Sequence, residues 1–418
     1  MHEPRLELLP LHAALRTSHS TDVTLLIRVH APALPARTTR RVPLNLALVL
    51  DRSGSMSGEP LEMAKRAAIA AVRQARADDR LSVVTFDDTV HVTAASQTIT
   101  NRDAVIAAIE RVEAGGSTDL HGGWLEGAMQ VAAHVQANAL NRVVVLSDGR
   151  ANHGVTNGRD IARNVRGLTE RGVSTTTIGL GGHYDENLLL SMATAGDGSF
   201  EHVEDATRLP TFFEEELQGL TRTAGRTVSL GIEPNPEFDV RLMDVLNDFK
   251  RNDHGRLQLP NLVAGQVIEV VATLQVPAQL GREGLSVSIA NVRLAWTDLE
   301  GTRHARRFPV VLNVYSASDA DALPNDAVVQ SVAAVLRSAR YKRDAVRALD
   351  QGDRRAARQT FEAASFALLA APLDAASLSQ ELADVQALSD ALDRGDTALS
   401  RKRALSQAHA RAHSKPRK

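Results

Sequence analysis

The strongest chemical signal in this 418-residue chain is Asp51-Arg52-Ser53-Gly54-Ser55-Met56, directly after the apolar run Leu44–Leu50. Two further oxygen-bearing side chains stand at comparable places. Thr118 lies in Gly115-Gly116-Ser117-Thr118-Asp119, just before a helical pattern, and Asp148 lies in Ser147-Asp148-Gly149, just after the run Val143–Leu146. Carboxylates and hydroxyls without nitrogen or sulfur are the ligand set of a hard cation. Two carboxylates and three hydroxyls, with room for water, suit octahedral Mg²⁺ or Mn²⁺. Ca²⁺ takes about six to eight oxygens and fits less well. Because only two of the donors are anionic, the ion stays electrophilic, and an acidic side chain of a partner can fill its open position. A lone Asp-x-Ser-x-Ser has a plainer explanation, since Asp and Ser are ordinary helix caps. Thr118 and Asp148 at two other strand ends tip the balance toward a site.

Other chemistries have less support. An aspartate-nucleophile phosphoryl-transfer site needs a second acid two positions after Asp51, where Ser53 stands. No Gly-x-x-x-x-Gly-Lys phosphate loop is present. Ser53, His153 and Asp148 could be written as a triad, but the nucleophile-elbow motif is missing. Asp119, His121, Arg150, Asn152 and His153 fall near the candidate ligands and are expected to form a rim that selects the partner. No catalytic residue is assigned. The two alternatives to a non-enzymatic binding module are a metal-dependent hydrolase or phosphatase, and a structural scaffold whose metal site is vestigial.

Composition narrows the classes further. Lys plus Arg total 48 and Asp plus Glu 50, a formal charge of −2, which gives no global field for gripping nucleic acid. Aromatics are 3%, so stacking platforms for single strands are few. With no cysteine, disulfides and thiolate zinc sites are excluded, which fits a reducing compartment. No stretch approaches the roughly 20 apolar residues of a membrane helix, and the N-terminus lacks a signal-peptide core. The expectation is a cytoplasmic protein that binds neither nucleic acid nor membrane.

The elements that must position these residues follow from hydrophobic periodicity. Residues 44–224 alternate short apolar runs with helical patterns, the mark of βαβ units around a mostly parallel sheet. The runs Leu44–Leu50, Leu81–Phe86, Val143–Leu146 and Val173–Leu180 are nearly continuous in Val, Leu and Ile, as buried parallel strands require. Val90–Ala94 reads as an antiparallel edge. In such a sheet ligands bind at the carboxyl ends of the strands, where Asp51, Thr118 and Asp148 all fall. From 225 to 316 the pattern turns to β, with five strand candidates. Two more within residues 1–43 (Leu6–Leu15 and Val23–His30) bring the total near the usual seven of a sandwich. The predicted architecture is therefore an α/β, Rossmann-like domain inserted in a discontinuous β-sandwich. A helical region over 317–396 follows, and then a basic tail over 397–418 that is expected to be disordered. Gly-Asp recurs at 352–353 and 395–396, though one helical hairpin does not make a repeat array.

With these residues in place, the pattern resembles the von Willebrand factor type A (VWA) domain and its metal-ion-dependent adhesion site. The matching segments are Asp51-x-Ser53-x-Ser55, Phe86-Asp87-Asp88, Gly115-Gly116-Ser117-Thr118, Leu146-Ser147-Asp148-Gly149 and Gly179-Leu180-Gly181. The resemblance covers about residues 44–224. It implies that Ser53, Ser55 and Thr118 bind metal directly and that Asp51 and Asp148 act through water. The flanking architecture is similar to that of bacterial members with a sandwich and a helical tail. Such members imply roles as scaffolds in kinase–phosphatase signalling or as adaptors of AAA+ ATPases. The resemblance also implies that the last helix, Ala206–Leu220, can shift to couple ligand occupancy to the neighbouring domain.

Overall fold

The computed structural model describes residues 3–33, 42–136 and 139–413. The chain begins with three strands, β1 (Arg5–Pro10), β2 (Ala14–Arg16) and β3 (Thr21–His30). The α/β region follows as β4 (Leu44–Asp51), α1 (Glu59–Gln74), β5 (Arg80–Phe86), β6 (Val90–Thr98), α2 (Arg102–Glu110), α3 (Leu120–Ala132), β7 (Leu140–Ser147), α4 (Gly158–Thr169), β8 (Ser174–Leu180), α5 (Glu186–Ala195), β9 (Asp197–Val203) and α6 (Leu209–Thr221). Strands return as β10 (Thr223–Pro234), β11 (Arg241–Val245), β12 (Leu257–Leu259), β13 (Leu262–Val263), β14 (Val267–Val276), β15 (Ser286–Thr297) and β16 (Arg303–Tyr315). Five helices close the described chain: α7 (Ala317–Ala322), α8 (Ala327–Asp350), α9 (Arg354–Leu369), α10 (Ala375–Asp393) and α11 (Thr397–Ala412). These elements fall into two compact units, one spanning the α/β elements and the other formed by the strands and helices on either side of them in sequence.

In the α/β unit the sheet order is β6-β5-β4-β7-β8-β9, parallel throughout except for antiparallel β6. Both central strands, β4 and β7, are buried at every position, which is why Leu46–Leu50 and Val143–Leu146 are apolar runs rather than alternations; at their starts the buried Asn45 donates to Asn141 Oδ1 at 2.9 Å. The chain leaves β4 toward β5 on one side and later returns to β7 on the other. The carboxyl ends of β4 and β7 therefore flank the crevice where the strand order reverses. On one face Ala47, Val49, Val84, Phe86, Val143 and Val145 pack against Trp124 and Ala128 of α3 and Ile161 and Val165 of α4. Gly127 of α3 allows this approach, because a Cβ there would overlap Val49 Cγ2. α1, α2 and α6 form a second packed group. α6 is held by Glu216, which pairs with buried Arg142 at 2.9 Å and accepts the Thr176 hydroxyl at 2.9 Å.

The other unit has two sheets. One runs β1-β3-β14-β11 and the second β12-β10-β15-β16-β2, with β13 on β10. Val23, Leu25, Ile27 and Val29 alternate inward from β3. They share one core with Leu230 of β10, Val292 and Leu294 of β15, and Val310, Leu312 and Val314 of β16. The outward residues Leu26 of β3 and Val271 of β14 are covered by Val329, Ala333 and Leu336 of α8. Arg340 of α8 fixes that docking with two hydrogen bonds to the Asp244 carboxylate, at 2.7 and 3.1 Å, and a third to the Val245 carbonyl.

One expectation fails here. The basic segment from 397 is not disordered as far as it is described, because Thr397–Ala412 forms α11. Asp396 caps it by accepting the Leu399 N–H, and Ala404, Leu405, Ala408 and Ala412 bury one face, much of it against α8. The basic residues are not all on the outer surface: Lys402 is buried, and Arg401 pairs with Asp350 of α8 at 2.6 Å, so a run without acids is compatible with a helix that finds its carboxylates elsewhere in the unit. Residues 414–418 lie outside the described residues. The N-terminal run Leu6–Leu15 also divides, into β1 and β2, which join different sheets.

A candidate metal centre at the carboxyl edge of the α/β sheet

Asp51 is the last residue of β4 and has no exposed surface. Its Oδ1 accepts the Ser53 N–H at 2.8 Å and its Oδ2 accepts the Ser147 hydroxyl at 2.5 Å. The chain then turns through Gly54–Met56, tied to the Thr118 loop by Gly54 N–H to the Gly116 carbonyl and Gly115 N–H to the Arg52 carbonyl. Ser53 Oγ lies 3.3 Å from Ser55 Oγ, and Ser55 Oγ donates to Asp148 Oδ1 at 2.7 Å. Gly149 closes the ring. A Cβ built there would lie 3.0 Å from Thr118 Oγ1 and 3.7 Å from Asp51 Oδ2. Three loops, from three places in the sequence, thus bring Asp51, Ser53, Ser55, Thr118 and Asp148 together. Ser53 and Thr118 are buried while Ser55 is exposed, so the cluster opens on the Ser55 side.

The electrostatics favour a cation. Burial pushes the Asp51 carboxyl up to about 6, with the Ser147 and Ser53 hydrogen bonds opposing and the Asp148 charge adding to the rise. Asp148 is raised as well, by burial first, with the Ser55 hydrogen bond and His183 opposing. Among the described residues no Lys or Arg forms an ion pair with either carboxylate. Two acids in one crevice, hydrogen-bonded by neutral donors and paired with no Lys or Arg among the described residues, leave a negative charge that a divalent ion would relieve. Among the described residues no group of three or more His, Cys, Asp or Glu could hold a metal. The donors here are mostly hydroxyls, so the residues fit a hard cation and exclude a nitrogen–sulfur site.

The expected rim divides. Arg150 and His153 are exposed on the loop after β7, where a partner could reach them. Asn152 has a positioning role, accepting the Thr118 N–H on its Oδ1 at 2.8 Å. Asp119 caps α3 through the Gly122 N–H at 2.9 Å, so its carboxylate is committed locally. His121 is corrected: it is 7% exposed, lies against Trp124 and bonds Asn164 through Nε2 at 3.0 Å, so it cannot line a rim. Its position at the start of α3 turns it inward.

Sequence reasoning does not single out several contributors. Ser147 braces Asp51, and its signal is that of a polar residue directly after the apolar run Val143–Leu146. Arg52 pairs with Asp87 at 2.8 Å, and Thr89 donates its N–H and hydroxyl to the same carboxylate. Although burial works against it, those Thr89 bonds and Arg52 hold Asp87 below the usual carboxylate range. His183, exposed after β8, acts on Asp148 and adds a basic group to the mouth.

The sheet order, the flanking helices and the oxygen cluster at the strand-order reversal define a VWA-type domain. Residues 45–215 match the von Willebrand factor type A domain family, and the chain contains that domain. Among its relatives, an uncharacterized protein of Synechocystis sp. is 31% identical over 217 residues, covering 52% of this chain and 51% of that protein. The chain thus spans about half the length of that curated relative. Among solved structures, a von Willebrand factor type A protein from Catenulispora acidiphila superposes with a TM-score of 0.71 at 16% identity, covering 100% of this chain and 98% of that one. The ArnB paralog VWA2 from Sulfolobus acidocaldarius gives 0.62 at 16% identity, covering 98% of each chain. These two likenesses show that the fold extends beyond the α/β region. Among the described residues no helix is long and apolar enough to cross a membrane.

Proposed function

We infer that this chain is a non-enzymatic, metal-dependent protein-binding module, in which a divalent cation captures an Asp or Glu of a partner protein. The observation that carries the reading is the convergence of two buried or half-buried carboxylates and three hydroxyls, with no cationic side chain paired to either acid among the described residues. Ser53, Ser55 and Thr118 would hold the ion directly and Asp51 and Asp148 through water, with Mg²⁺ or Mn²⁺ preferred to Ca²⁺ on donor number. The ion supplies an electrophilic open position for a carboxylate. The protein's part is to fix the donors: Ser147 holds Asp51, and Asn152 holds the Thr118 backbone. A carboxylate–metal bond carries little specificity, so Arg150, His153 and His183 at the mouth are the residues to select the partner. The absence of catalysis is supported by the hydroxyls' partners, since Ser53 and Ser55 bond each other and Asp148 rather than a histidine base. A cytoplasmic scaffold in kinase–phosphatase signalling, or an adaptor of an AAA+ ATPase, is the setting this reading suggests.

The test is capture from native lysate in Mg²⁺ against EDTA, with Ser53→Ala/Ser55→Ala as the comparison. Capture should require both the ion and the serines. Identical capture in EDTA, or Mg²⁺-dependent turnover of phosphate or ester substrates, would overturn the reading.

A further inference from the structure

The two sheets of the second unit treat their outer faces differently. That of β3 and β14 is apolar and covered by α8, whereas that of β12, β10, β15 and β16 carries arginines. Because Val228, Leu230, Val292 and Leu294 face the core, Ser229, Gly231, Arg293 and Ala295 face outward. The registers set Gly231 opposite Arg293, and Arg293 opposite Arg307. Arg256 completes the row from the other side, its Cγ 3.5 Å from the position a Gly231 Cβ would take. Arg303 reaches across from β16 to donate to Ser229 Oγ at 3.2 Å and to the Thr227 carbonyl.

Like charges directly opposite each other on a sheet cost stability, so this row calls for a reason. Arg307 has a carboxylate partner, Glu233 at 3.0 Å. No described carboxylate pairs with Arg256, Arg293 or Arg303. Arg293 Nη1 is buried and has no hydrogen-bond partner among the described residues. Arg303 is held below its ordinary value by burial first and then by the charges of Arg293 and Arg256, which places the three within electrostatic reach of one another. Gly231, with no side chain, lets the Arg256 arm lie directly over the strand beside Arg293: Arg256 Cγ and Cδ and Arg293 Cβ stand 3.5, 3.8 and 3.6 Å from where a Cβ would be.

We propose that Arg256, Arg293 and Arg303, clustered over Gly231 and Ser229, form a binding site for a phosphorylated side chain of a partner protein. Three uncompensated guanidiniums exceed the single charge of a carboxylate and suit a phosphate monoester, which carries about −1.5 to −2 at neutral pH. The rigid fork of arginine matches its tetrahedral oxygens. The outward residues between them, Ser229, Gln258, Asn291, Ala295 and Ala305, offer no aromatic ring to stack a base, which disfavours single-stranded nucleic acid.

The experiment uses the full chain in EDTA, so that the candidate metal centre contributes nothing and the two readings can fail separately. Fluorescence anisotropy follows a labelled Gly/Ser peptide bearing one phosphoserine, the same peptide unphosphorylated, and competition by inorganic phosphate and by oligo-dT. The phosphopeptide should bind saturably and its unphosphorylated counterpart should not. Arg256→Ala/Arg293→Ala should weaken binding about tenfold or more. Arg293→Gln, which keeps most of the side-chain volume, should do the same in part. Arg306→Ala should leave binding unchanged, since Arg306 alternates to the other face and pairs with Glu3. Circular dichroism melts confirm that the variants fold. The proposal is overturned by equal binding of the two peptides, by unchanged affinity in the folded double variant, by inorganic phosphate binding as tightly as the phosphopeptide, or by oligo-dT binding more tightly than it.

Discussion

Replacing Asp51 by asparagine is expected to stabilise the metal-free protein while destroying its response to metal. Asp51 is wholly buried, and its folded-state pKa is raised from 3.8 to about 6. Between those values the folded chain holds a proton that the unfolded chain has lost, so stability falls as pH rises from about 4 to about 6. At about 1.4 kcal/mol per pH unit, the charged carboxylate costs on the order of 3 kcal/mol at pH 7, and nothing below pH 4. Asparagine keeps the acceptor for the Ser53 N–H and can donate to the Ser147 hydroxyl, so both local bonds survive. For a domain of this size, about 2–4 °C per kcal/mol converts the gain to roughly 6–12 °C in Tm.

The assay is a thermal melt of wild type and Asp51→Asn in EDTA, from pH 4 to 8, repeated with Mg²⁺. In EDTA the variant should melt higher at pH 7, and the gap should close as pH falls through 6 toward 4. With Mg²⁺ the wild type should gain stability, more at pH 7 than at pH 5, because binding needs the deprotonated carboxylate. The variant should gain almost nothing. A variant that melts lower at pH 7 without metal, or a gap independent of pH, would refute the argument that burial of this charge is uncompensated.

Other expectations follow from single contacts. Ser53→Ala/Ser55→Ala should abolish the Mg²⁺-induced rise in Tm yet shift the metal-free Tm little, since these hydroxyls bond mainly within the site; a retained Mg²⁺ response would count against them as ligands. Gly127→Val should destabilise by about 1–3 kcal/mol in chemical denaturation, because α3 would be forced off β4 at Val49. Arg340→Ala should cost about 1 kcal/mol after allowing for the exposure of the pair. Asp244 is held below the usual carboxylate range by its Arg340 hydrogen bonds, so that loss should be present at neutral pH and fade in acid as the carboxylate protonates. Truncation after Asp393 should lower the melting temperature by uncovering the α8 surface packed on α11, whereas a disordered tail would be lost without effect.

Much of the fold can be read from periodicity because its strands are of two clear kinds. Buried parallel strands such as β4 and β7 carry continuous apolar runs, Leu46–Leu50 and Val143–Leu146, and sandwich strands such as β3 turn alternate side chains to the core. What escapes is held by the backbone rather than by apolar side chains. β9 is an edge strand with few buried positions, and its Gly198 backbone lies against the Thr175 carbonyl, where any side chain would collide. β12 and β13 are too short to show a period. α11 escapes because its buried face holds one large apolar side chain, Leu405, among alanines and the polar Ser400, Lys402 and His409, yet its boundary is visible in the recurrent Gly-Asp. At 352–353 and 395–396 the glycine has positive φ just past a helix, and the aspartate caps the next one.

The candidate site divides along the same physical line. The candidate donors Asp51, Ser53, Ser55 and Asp148 are specific residue types at strand ends and show themselves in sequence once the parallel sheet is recognised. Thr118, expected at a strand end too, lies instead in the loop between α2 and α3, which the backbone bonds to Arg52 and Gly54 bring to the same edge. The residues that hold them need only reach the right atom, so their identity is fixed by distance and not by motif. Asn152, Arg52 and Thr89 are of this kind, whereas Ser147 and Asp87 stand inside matched segments although their contacts are not legible there. The same logic explains why His121 misleads. It lies three residues from Thr118, but the helix capped by Asp119 carries it inward to Trp124 and Asn164. His183, far away in sequence, reaches the mouth because β8 ends beside β7. On the proposed function, partner selection would rest on residues that the metal motif does not specify. Exchanging His183 or Arg150 should change which acidic partner is captured while leaving Mg²⁺ binding intact, and loss of Mg²⁺ binding in those variants would overturn their assignment to partner selection.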